Sequence, residues 1–421
     1  MMQQNPQGRG PQPLLLHLAL AGQIWLNWPL LLRSLQQKST GSNGGWSSSL
    51  RPSRAALQVR AARLKPELFA AALAKEGLAR YRAYLEGVTI YRRYGGQRLT
   101  QDAVLCGNFG STRLLDFAPE LTRAPVLLVV PSLVNRYHIL DLDTERSLLR
   151  WLVGQGIRPL LVDWGAPGRH EGAMTVADYI ARLAVMARRA QQLAGGRGLH
   201  VLGHCLGGNL ALGLAAAKPA LVRSLILLST PWDFHAGDRR LGEYAAAAWR
   251  EWGAMSLEGD LVPAQFVQSL FALLQPWAVT EKFRQLSCAP LDAAKLRRFV
   301  LVEDWLNDGV PLTRPVCREI IEEWYGANRP GRGAWRVGDV LLRPRNITVP
   351  TLVVVPERDH IVPAAAAAAL ARQLPGATAL HLPLGHIGMI VGAPAKDLLW
   401  RPVAEWIKRV ERDSRMDENA K

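Results

Sequence analysis

The chain has 421 residues, of which 49% are hydrophobic and 20% are charged. This composition is typical of a folded globular protein and excludes a disordered chain or a polytopic membrane protein. The formal net charge of +16 favours contact with phosphates or anionic surfaces but identifies no partner. The four cysteines are far apart, which excludes a disulfide framework and a thiolate zinc site and fits a reducing, cytoplasmic compartment.

The first element in chain order is an apolar segment from Leu14 to Leu32. Polar residues and a proline interrupt it, and it barely reaches the roughly 20 residues that a membrane-spanning helix needs. We predict a helix that docks on the body of the protein or on an apolar surface. A secretory signal peptide is the alternative, because a short apolar run ends in Ala19-Leu20-Ala21.

Residues 38–53 are rich in Ser, Gly and Asn, which indicates a linker. From Arg54 to Glu86, apolar residues recur at spacings of three and four, as in an amphipathic helix pair. We therefore predict that residues 1–94 form an N-terminal helical region.

After Thr100 the pattern changes to short aliphatic runs that alternate with helical stretches. The predicted strands are Pro125–Pro131, Arg158–Asp163, Leu199–Gly203, Leu225–Ser229, Thr351–Val355 and Thr378–Leu382. The predicted helices are Thr144–Gln155, Val176–Leu193, Asn209–Ala217 and Ala364–Gln373. Nearly continuous Val and Leu runs are typical of parallel strands buried on both faces, so this is an α/β protein with a mostly parallel sheet.

The alternation stops between Trp232 and Arg345, where Trp, Leu and Phe recur at helical spacing. We predict an α/β core formed by residues 95–231 and 346–410, a helical cap inserted at 232–345, and a polar tail at 411–421. A cap between two sheet strands would cover the carboxyl edge of the sheet, where such sheets bind ligands. Its tryptophans are predicted to form the cap core, and some of them to line an acyl channel.

The sharpest local pattern is Gly203–Gly208, with the sequence GHCLGG, between a predicted strand and a predicted helix. It has the form of a nucleophile elbow, with Cys205 where hydrolases usually carry serine. The glycines avoid collisions in a tight turn, and the helix N-terminus favours a thiolate and a developing oxyanion. We predict that Cys205 is the nucleophile; the alternative is a buried structural cysteine.

A nucleophile needs a base and an orienting acid, which in this fold follow it in the order acid, then histidine. Asp359 follows one predicted strand and His386 follows the next, so we predict these two roles for them. The alternatives are a turn aspartate and an unpaired loop histidine. His360 is expected to be structural, and His204 to occupy the variable position of the elbow.

Backbone N–H groups are expected to stabilise the oxyanion. We predict that Leu206 supplies one and Val134, in the loop after the first core strand, supplies the other, with Leu133 as the alternative to Val134. The remaining cysteines, Cys106, Cys288 and Cys317, are predicted to be structural, and no metal site is expected.

Further motifs occur in the same order as in one known family. These are residues 133–142 (LVNRYHILDL), 162–165 (VDWG), 230–234 (TPWDF), 359–363 (DHIVP) and 385–387 (GHI). Together with the elbow, they resemble the polyhydroxyalkanoate synthases over roughly residues 89–407. This family belongs to the α/β-hydrolase superfamily and uses a cysteine nucleophile. The histidine before Cys205 departs from the aromatic or aliphatic residue that is commoner in the family.

The resemblance implies an acyltransferase that polymerises (R)-3-hydroxyacyl-CoA into polyhydroxyalkanoate through a Cys-bound acyl thioester, with release of CoA. CoA thioester is then the substrate, and no cofactor is implied. Asp359 is expected either to orient His386 or to assist the 3-hydroxyl group of the incoming unit. The residues 162–165 are most similar to class III synthases, whose catalytic subunit works with a second subunit. The implied partners are that subunit or a second copy of the chain, together with a polyester granule or membrane surface, and no nucleic acid is expected.

The chemistry of cysteine favours acyl transfer independently of the resemblance. Moving an acyl group from CoA to Cys205 exchanges one thioester for another, and attack by a hydroxyl then gives a more stable oxygen ester. Two alternatives stay open from sequence: a Cys-dependent thioesterase or polyester depolymerase, and a non-catalytic protein of the granule surface. Dienelactone hydrolases share the elbow but are much shorter and lack the motif at residues 133–142.

Overall fold

The computed structural model describes residues 10–29, 63–94, 103–237, 239–253, 259–274, 276–289 and 292–419, together with 56, 59 and 60. The chain divides into two compact units, residues 1–96 with 271–303 and residues 97–270 with 304–421. The linker predicted at residues 38–53 lies outside the described residues. Of the insertion predicted at 232–345, residues 271–303 belong to the first unit and the others to the second.

The first unit is built from helices. These are Leu14–Leu26, Pro66–Arg93, Pro276–Cys288 and most of Ala293–Asn307. They share a core made of Ala21, Tyr84, Val88, Tyr91, Phe283, Leu286 and Val300. Gly87 allows two helices to cross closely, because a side chain there would collide with the carbonyl group of Phe283. Within the described ranges, no helix combines the length and the apolar character needed to cross a bilayer.

The second unit is organised around an eight-stranded sheet. Its strands are β1 (Val104–Phe109), β2 (Thr112–Asp116), β3 (Val126–Val130), β4 (Arg158–Asp163), β5 (Leu199–His204), β6 (Val222–Leu228), β7 (Thr351–Pro356) and β8 (Thr378–Leu382). They lie in the order β1-β2-β4-β3-β5-β6-β7-β8. The six strands β3 to β8 are parallel to one another, whereas β1 and β2 form an antiparallel hairpin that pairs with β4 at one edge. The predicted α/β class is therefore correct.

The predicted strands correspond to β3–β8, and four of them are buried along their whole length. The sequence did not indicate β1 and β2. β1 is largely exposed along its length, so its apolar signal is weak. Two pairs of two-residue strands also occur in the described part of the chain, Leu261–Val262 with Leu312–Thr313 and Arg336–Val337 with Val340–Leu341.

The second unit also contains helices, some between the sheet strands and others within the insertion. Those longer than three residues are Leu148–Val153, Val176–Leu193, Leu206–Ala217, Arg239–Ala248, Ala264–Leu274, Arg314–Arg318, Ala364–Gln373, Gly388–Val391 and Arg401–Asn419, with π-helical turns at Trp249–Gly253, Glu319–Gly326 and Lys396–Trp400 and a 3-10 turn at Tyr137–Leu140. Val176–Leu193 begins at a capping box in which Thr175 and Asp178 bond each other's backbone N–H groups. Its buried face carries Leu183 and Ala187, as the periodicity predicts.

The tryptophans of the insertion differ in burial. Trp249, Trp305 and Trp324 are buried, which agrees with a core role. Trp277 is 59% exposed, so the core role predicted for it is wrong. The side chain of Trp252 lies outside the described residues.

The strand ends bring the predicted site residues to one edge of the sheet. Val130 at the end of β3 pairs with Gly203 of β5, and His204 pairs with Leu228 at the end of β6. Because β3 to β8 are parallel, the loops that follow these strands all leave at the same edge. The elbow and the loops of the acid and the histidine are therefore neighbours.

Candidate active site

Cys205 occupies the turn between β5 and the helix Leu206–Ala217. Its φ of 54° and ψ of −127° are strained for a residue with a side chain, as expected of a nucleophile elbow. The Cys205 N–H donates to the carbonyl of Leu228, and the Gly208 N–H donates to the carbonyl of Cys205, both at 2.9 Å. A side chain at Gly207 would come within 2.5 Å of the Pro131 carbonyl oxygen, so this turn requires glycine.

Asp359 and His386 are in direct contact, as predicted. His386 Nδ1 lies 2.6 Å from Asp359 Oδ2. The other carboxylate oxygen, Oδ1, accepts hydrogen bonds from the N–H groups of Ile361 at 2.8 Å and Val362 at 2.9 Å. Both side chains are buried. The other ring nitrogen of His386, Nε2, takes no part in the contact with Asp359, and Cys205 is close enough to the ring to interact with it electrostatically.

Ser229 is a site residue that sequence reasoning missed. It directly follows β6, and its Oγ donates to Asp359 Oδ2 at 2.5 Å and lies 3.2 Å from His386 Nδ1. The signal that could have found it is its place in the chain, since a polar residue follows the strand next to the nucleophile strand. Four neighbouring strands, β5 to β8, thus each deliver one polar residue to the site.

The charges around His386 favour its protonated form. Burial alone lowers the pKa of His386, but the negative charge of Cys205 and hydrogen bonds with Asp359 and Cys205 raise it to about 10. Burial likewise raises the pKa of Asp359, yet the hydrogen bond and positive charge of His386 hold it below its ordinary value. A protonated imidazole that contacts a carboxylate on one side and faces a cysteine on the other is the arrangement in which a thiolate–imidazolium pair can form.

The other two histidines near the site differ in their surroundings. His204 is 3% exposed, and its ring lies 5.2 Å from the His386 ring, tilted by 36°. Burial and the positive charge of His386 lower the pKa of His204 to about 3, so it is neutral. His360 is exposed, whereas Asp359 beside it in the chain is buried. Neither histidine replaces His386 as the partner of Asp359.

The predicted oxyanion donors lie on either side of the elbow. Leu206 is the first residue of the helix that follows Cys205. The Val134 N–H is 3.5 Å from Ser132 Oγ, which is a weak contact, and the Val134 carbonyl accepts from Val310 N–H at 3.0 Å. Since Gly207 packs on Pro131, the loop that carries Val134 adjoins the elbow. Their role as oxyanion donors stays a prediction.

Tyr325 is a second residue that the sequence did not indicate. It lies in the π-helical segment Glu319–Gly326, and its ring packs on Phe234 with the centroids 4.9 Å apart. Burial and the negative charges of Cys205 and Asp359 raise the pKa of Tyr325 above its ordinary value. Its hydroxyl is therefore neutral and can both donate and accept hydrogen bonds beside the nucleophile.

Comparison with known proteins first identifies the class. Residues 125–393 match the family model described as "alpha/beta hydrolase fold". This stretch begins just before β3 and includes the elbow, Ser229, Asp359 and His386. The order of nucleophile, acid and histidine and the parallel sheet are those of this class.

The similar proteins identify the family more narrowly. The chain is 30% identical to the "Poly(3-hydroxyalkanoate) polymerase subunit PhaC" of Allochromatium vinosum, with 69% of this chain and 82% of that one covered. It is 29% identical to the protein of the same name from Synechocystis sp., with 67% and 77% covered. For the protein of that name from Cupriavidus necator the identity is 30%, with 68% and 50% covered. The chain belongs to the poly(3-hydroxyalkanoate) polymerase family, which confirms the resemblance found from its motifs.

Proposed function

We propose that this protein polymerises (R)-3-hydroxyacyl-CoA into polyhydroxyalkanoate, with Cys205 carrying the growing acyl group as a thioester. The observation that carries the proposal is the half-buried Cys205 facing a buried His386–Asp359 pair, in a member of the polymerase family. A CoA thioester is the substrate, and the proposed reaction needs no cofactor.

In the first half-reaction, Cys205 Sγ attacks the carbonyl carbon of the CoA thioester. The new S–C bond forms as the thiolate gives up its charge to the carbonyl oxygen. The N–H groups of Leu206 and Val134 are assigned to that oxygen. The bond to CoA then breaks, and the proton held by His386 goes to the departing sulfur of CoA. The proton is transferred from His386 Nε2, the ring nitrogen that is not bonded to Asp359.

In the second half-reaction, neutral His386 takes the proton of a 3-hydroxyl group while that oxygen attacks the acyl-Cys205 carbonyl. An ester bond forms, the S–C bond breaks, and the thiolate–imidazolium pair returns. Asp359 orients and stabilises His386 in both steps. Its two oxygens already accept four hydrogen bonds and its side chain is buried, which leaves no lone pair for a substrate hydroxyl.

The test supplies 3-hydroxybutyryl-CoA and follows free CoA and insoluble polymer together. The polymerase releases CoA in step with polymer, and Cys205→Ala stops both. Cys288→Ala is the matched control, because Cys288 is an exposed cysteine of the other unit, and it keeps wild-type rates. CoA release with soluble acid and no polymer would instead identify a hydrolase, and no CoA release would identify a non-catalytic protein.

We also propose that the protein works in the cytoplasm at the surface of polyester granules. The first unit exposes the apolar side chains of Leu15, Leu68 and Trp277, with 81%, 65% and 59% exposed. Replacing all three with Asp should lower the fraction of protein that sediments with isolated granules. Val340→Asp, which changes an exposed residue of the second unit, is the control. Equal sedimentation of all variants would refute the assignment.

The proposed protein partner is a second synthase subunit or a second copy of this chain. The similarity to two-subunit synthases supports the first, and light scattering on the purified chain separates the two. A dimer with full activity supports a second copy, whereas a monomer that is activated by an added subunit supports a partner subunit. A fully active monomer contradicts both.

A further inference from the structure

We propose that Ser229 is a positioning residue, which holds Asp359 and His386 in the orientation in which His386 meets Cys205. The inference rests on the proposed function, since it concerns the same site. Ser229 is 0% exposed, and its hydroxyl lies 2.5 Å from Asp359 Oδ2 and 3.2 Å from His386 Nδ1. It touches both members of the pair without facing the substrate.

The backbone of Ser229 indicates that the hydroxyl is needed there. Its φ is 46°, in the left-handed region that glycine adopts freely and that strains other residues. Among the described residues, the other non-glycine positions with positive φ are Cys205 and Asn328. Glycine would relax this backbone but would carry no hydroxyl. A strained and buried residue persists where its side chain has a role that glycine lacks.

The hydrogen bonds define what the hydroxyl does. A serine has one hydroxyl proton, and the ionised Asp359 offers only acceptors, so that proton goes to Oδ2. The same oxygen accepts the Nδ1–H of His386, and the other oxygen is held by two backbone N–H groups. With all four bonds present, the carboxylate cannot turn about its χ2 angle. Without Ser229, Oδ2 keeps only the bond to His386, and ring and carboxylate can turn together.

The position of the ring matters because of the groups that face it. Cys205 and Asp359 are the neighbours that interact with it electrostatically, His204 packs beside it, and Tyr325 interacts with both Cys205 and Asp359. His204 and Tyr325 are uncharged, so a thiolate formed at Cys205 depends on His386 for its counter-ion. If the ring turns away, Cys205 loses that counter-ion and reacts as an ordinary thiol.

The experiment measures alkylation of Cys205 by iodoacetamide at pH 6 and at pH 9, by mass spectrometry of the peptide that contains it. A thiolate–imidazolium pair in the wild type makes the two rates similar. An ordinary thiol is largely protonated at pH 6, so Ser229→Ala should lower the pH 6 rate, relative to pH 9, by at least about tenfold. The melting temperature of each variant at both pH values confirms that the protein is folded during alkylation, and the exposed Cys288 reports the reagent in each digest.

Two further variants separate positioning from a structural role. Ser229→Gly removes the hydroxyl and the strain together, so it should show the same low ratio as Ser229→Ala. Ser224→Ala is the matched control, because Ser224 lies on β6, the strand that Ser229 follows, is equally buried and hydrogen-bonds His200 at 2.8 Å instead of the site residues. It should keep the wild-type ratio.

Specific results overturn the inference. A wild-type ratio in Ser229→Gly or Ser229→Ala would show that the hydroxyl does not position the pair, and so would a wild-type Cys205 that itself behaves as an ordinary thiol. Alkylation uses no acyl substrate. A wild-type protein with the ion pair but without polymer formation would therefore contradict the proposed function and leave the role of Ser229 intact.

Discussion

Replacing Asp359 with Asn should impair the first acyl transfer and not only chain elongation. The carboxylate accepts four hydrogen bonds, two from backbone N–H groups, one from Ser229 and one from His386. An amide has one oxygen and one NH₂ group, so its NH₂ must face two of these donors. The backbone N–H groups cannot turn away, whereas the hydroxyl and the imidazole can change their proton positions. The NH₂ therefore faces His386.

The consequence for His386 is the wrong tautomer. Its Nδ1 must then accept a hydrogen bond, so the ring proton moves to Nε2, the nitrogen on the side of Cys205. The imidazole can no longer take the thiol proton without forming an imidazolium that has lost its buried anion. The corresponding exchange in a Ser-His-Asp triad lowers kcat about 10⁴-fold, and we expect a loss of about 10³ to 10⁴ in acylation, or about 4–5 kcal/mol in the barrier.

A single-turnover experiment with 3-hydroxybutyryl-CoA measures this loss. Rapid quenching gives the rate of CoA release per active site, and the intact mass reports the acyl adduct on Cys205. Asp143→Asn is the matched control, because Asp143 is also buried and accepts two backbone N–H groups, from Glu145 and Arg146, but is outside the site. Acylation of Asp359→Asn within about tenfold of wild type would refute the tautomer argument.

Three other changes test separate parts of the structure. Cys205→Ser should leave less than about 1% of CoA release with an almost unchanged melting temperature, because a serine hydroxyl is far less acidic than a thiol; substantial polymerisation would contradict this. Gly207→Ala should lower the free energy of unfolding in urea by about 1–3 kcal/mol, because the new methyl group meets the Pro131 carbonyl, whereas Gly22→Ala, with open space around it, should not. The raised pKa of His386 means that the folded state holds its proton more tightly than the unfolded state. The stability it contributes is therefore full below about pH 6.5 and is lost as the pH rises towards 10, so the difference in unfolding free energy between wild type and His386→Gln should shrink over that range.

The parts of the fold that were predictable are those with a repeated apolar pattern. β3 to β8 are runs of aliphatic residues, and the helices Val176–Leu193 and Ala364–Gln373 begin and end at the predicted residues. The half-exposed β1 has no such pattern, so the hairpin with β2 escaped prediction. The division of the insertion was also invisible, because helical spacing shows which face of a helix is buried but not which neighbour buries it.

The site was predictable where chemistry leaves a sequence motif. Cys205 is surrounded by glycines that the turn requires, and Asp359 and His386 follow strands in the order of the fold. Ser229 and Tyr325 have no motif of their own. Their roles depend on distances to residues more than a hundred positions away or, for Tyr325, on a neighbouring ring and nearby charges, and these appear only when the chain is folded.

The long insertion leaves the sheet after β6 and returns to it at β7, and these two strands are neighbours. The Ser229 N–H donates to the carbonyl of Val354 at 3.1 Å, so residues 230–350 begin and end at strands about 5 Å apart. The entropy lost in closing a loop rises only with the logarithm of its length. Evolution can therefore lengthen, shorten or exchange parts of this segment while Cys205, Ser229, Asp359 and His386 stay assembled at the ends of the sheet strands.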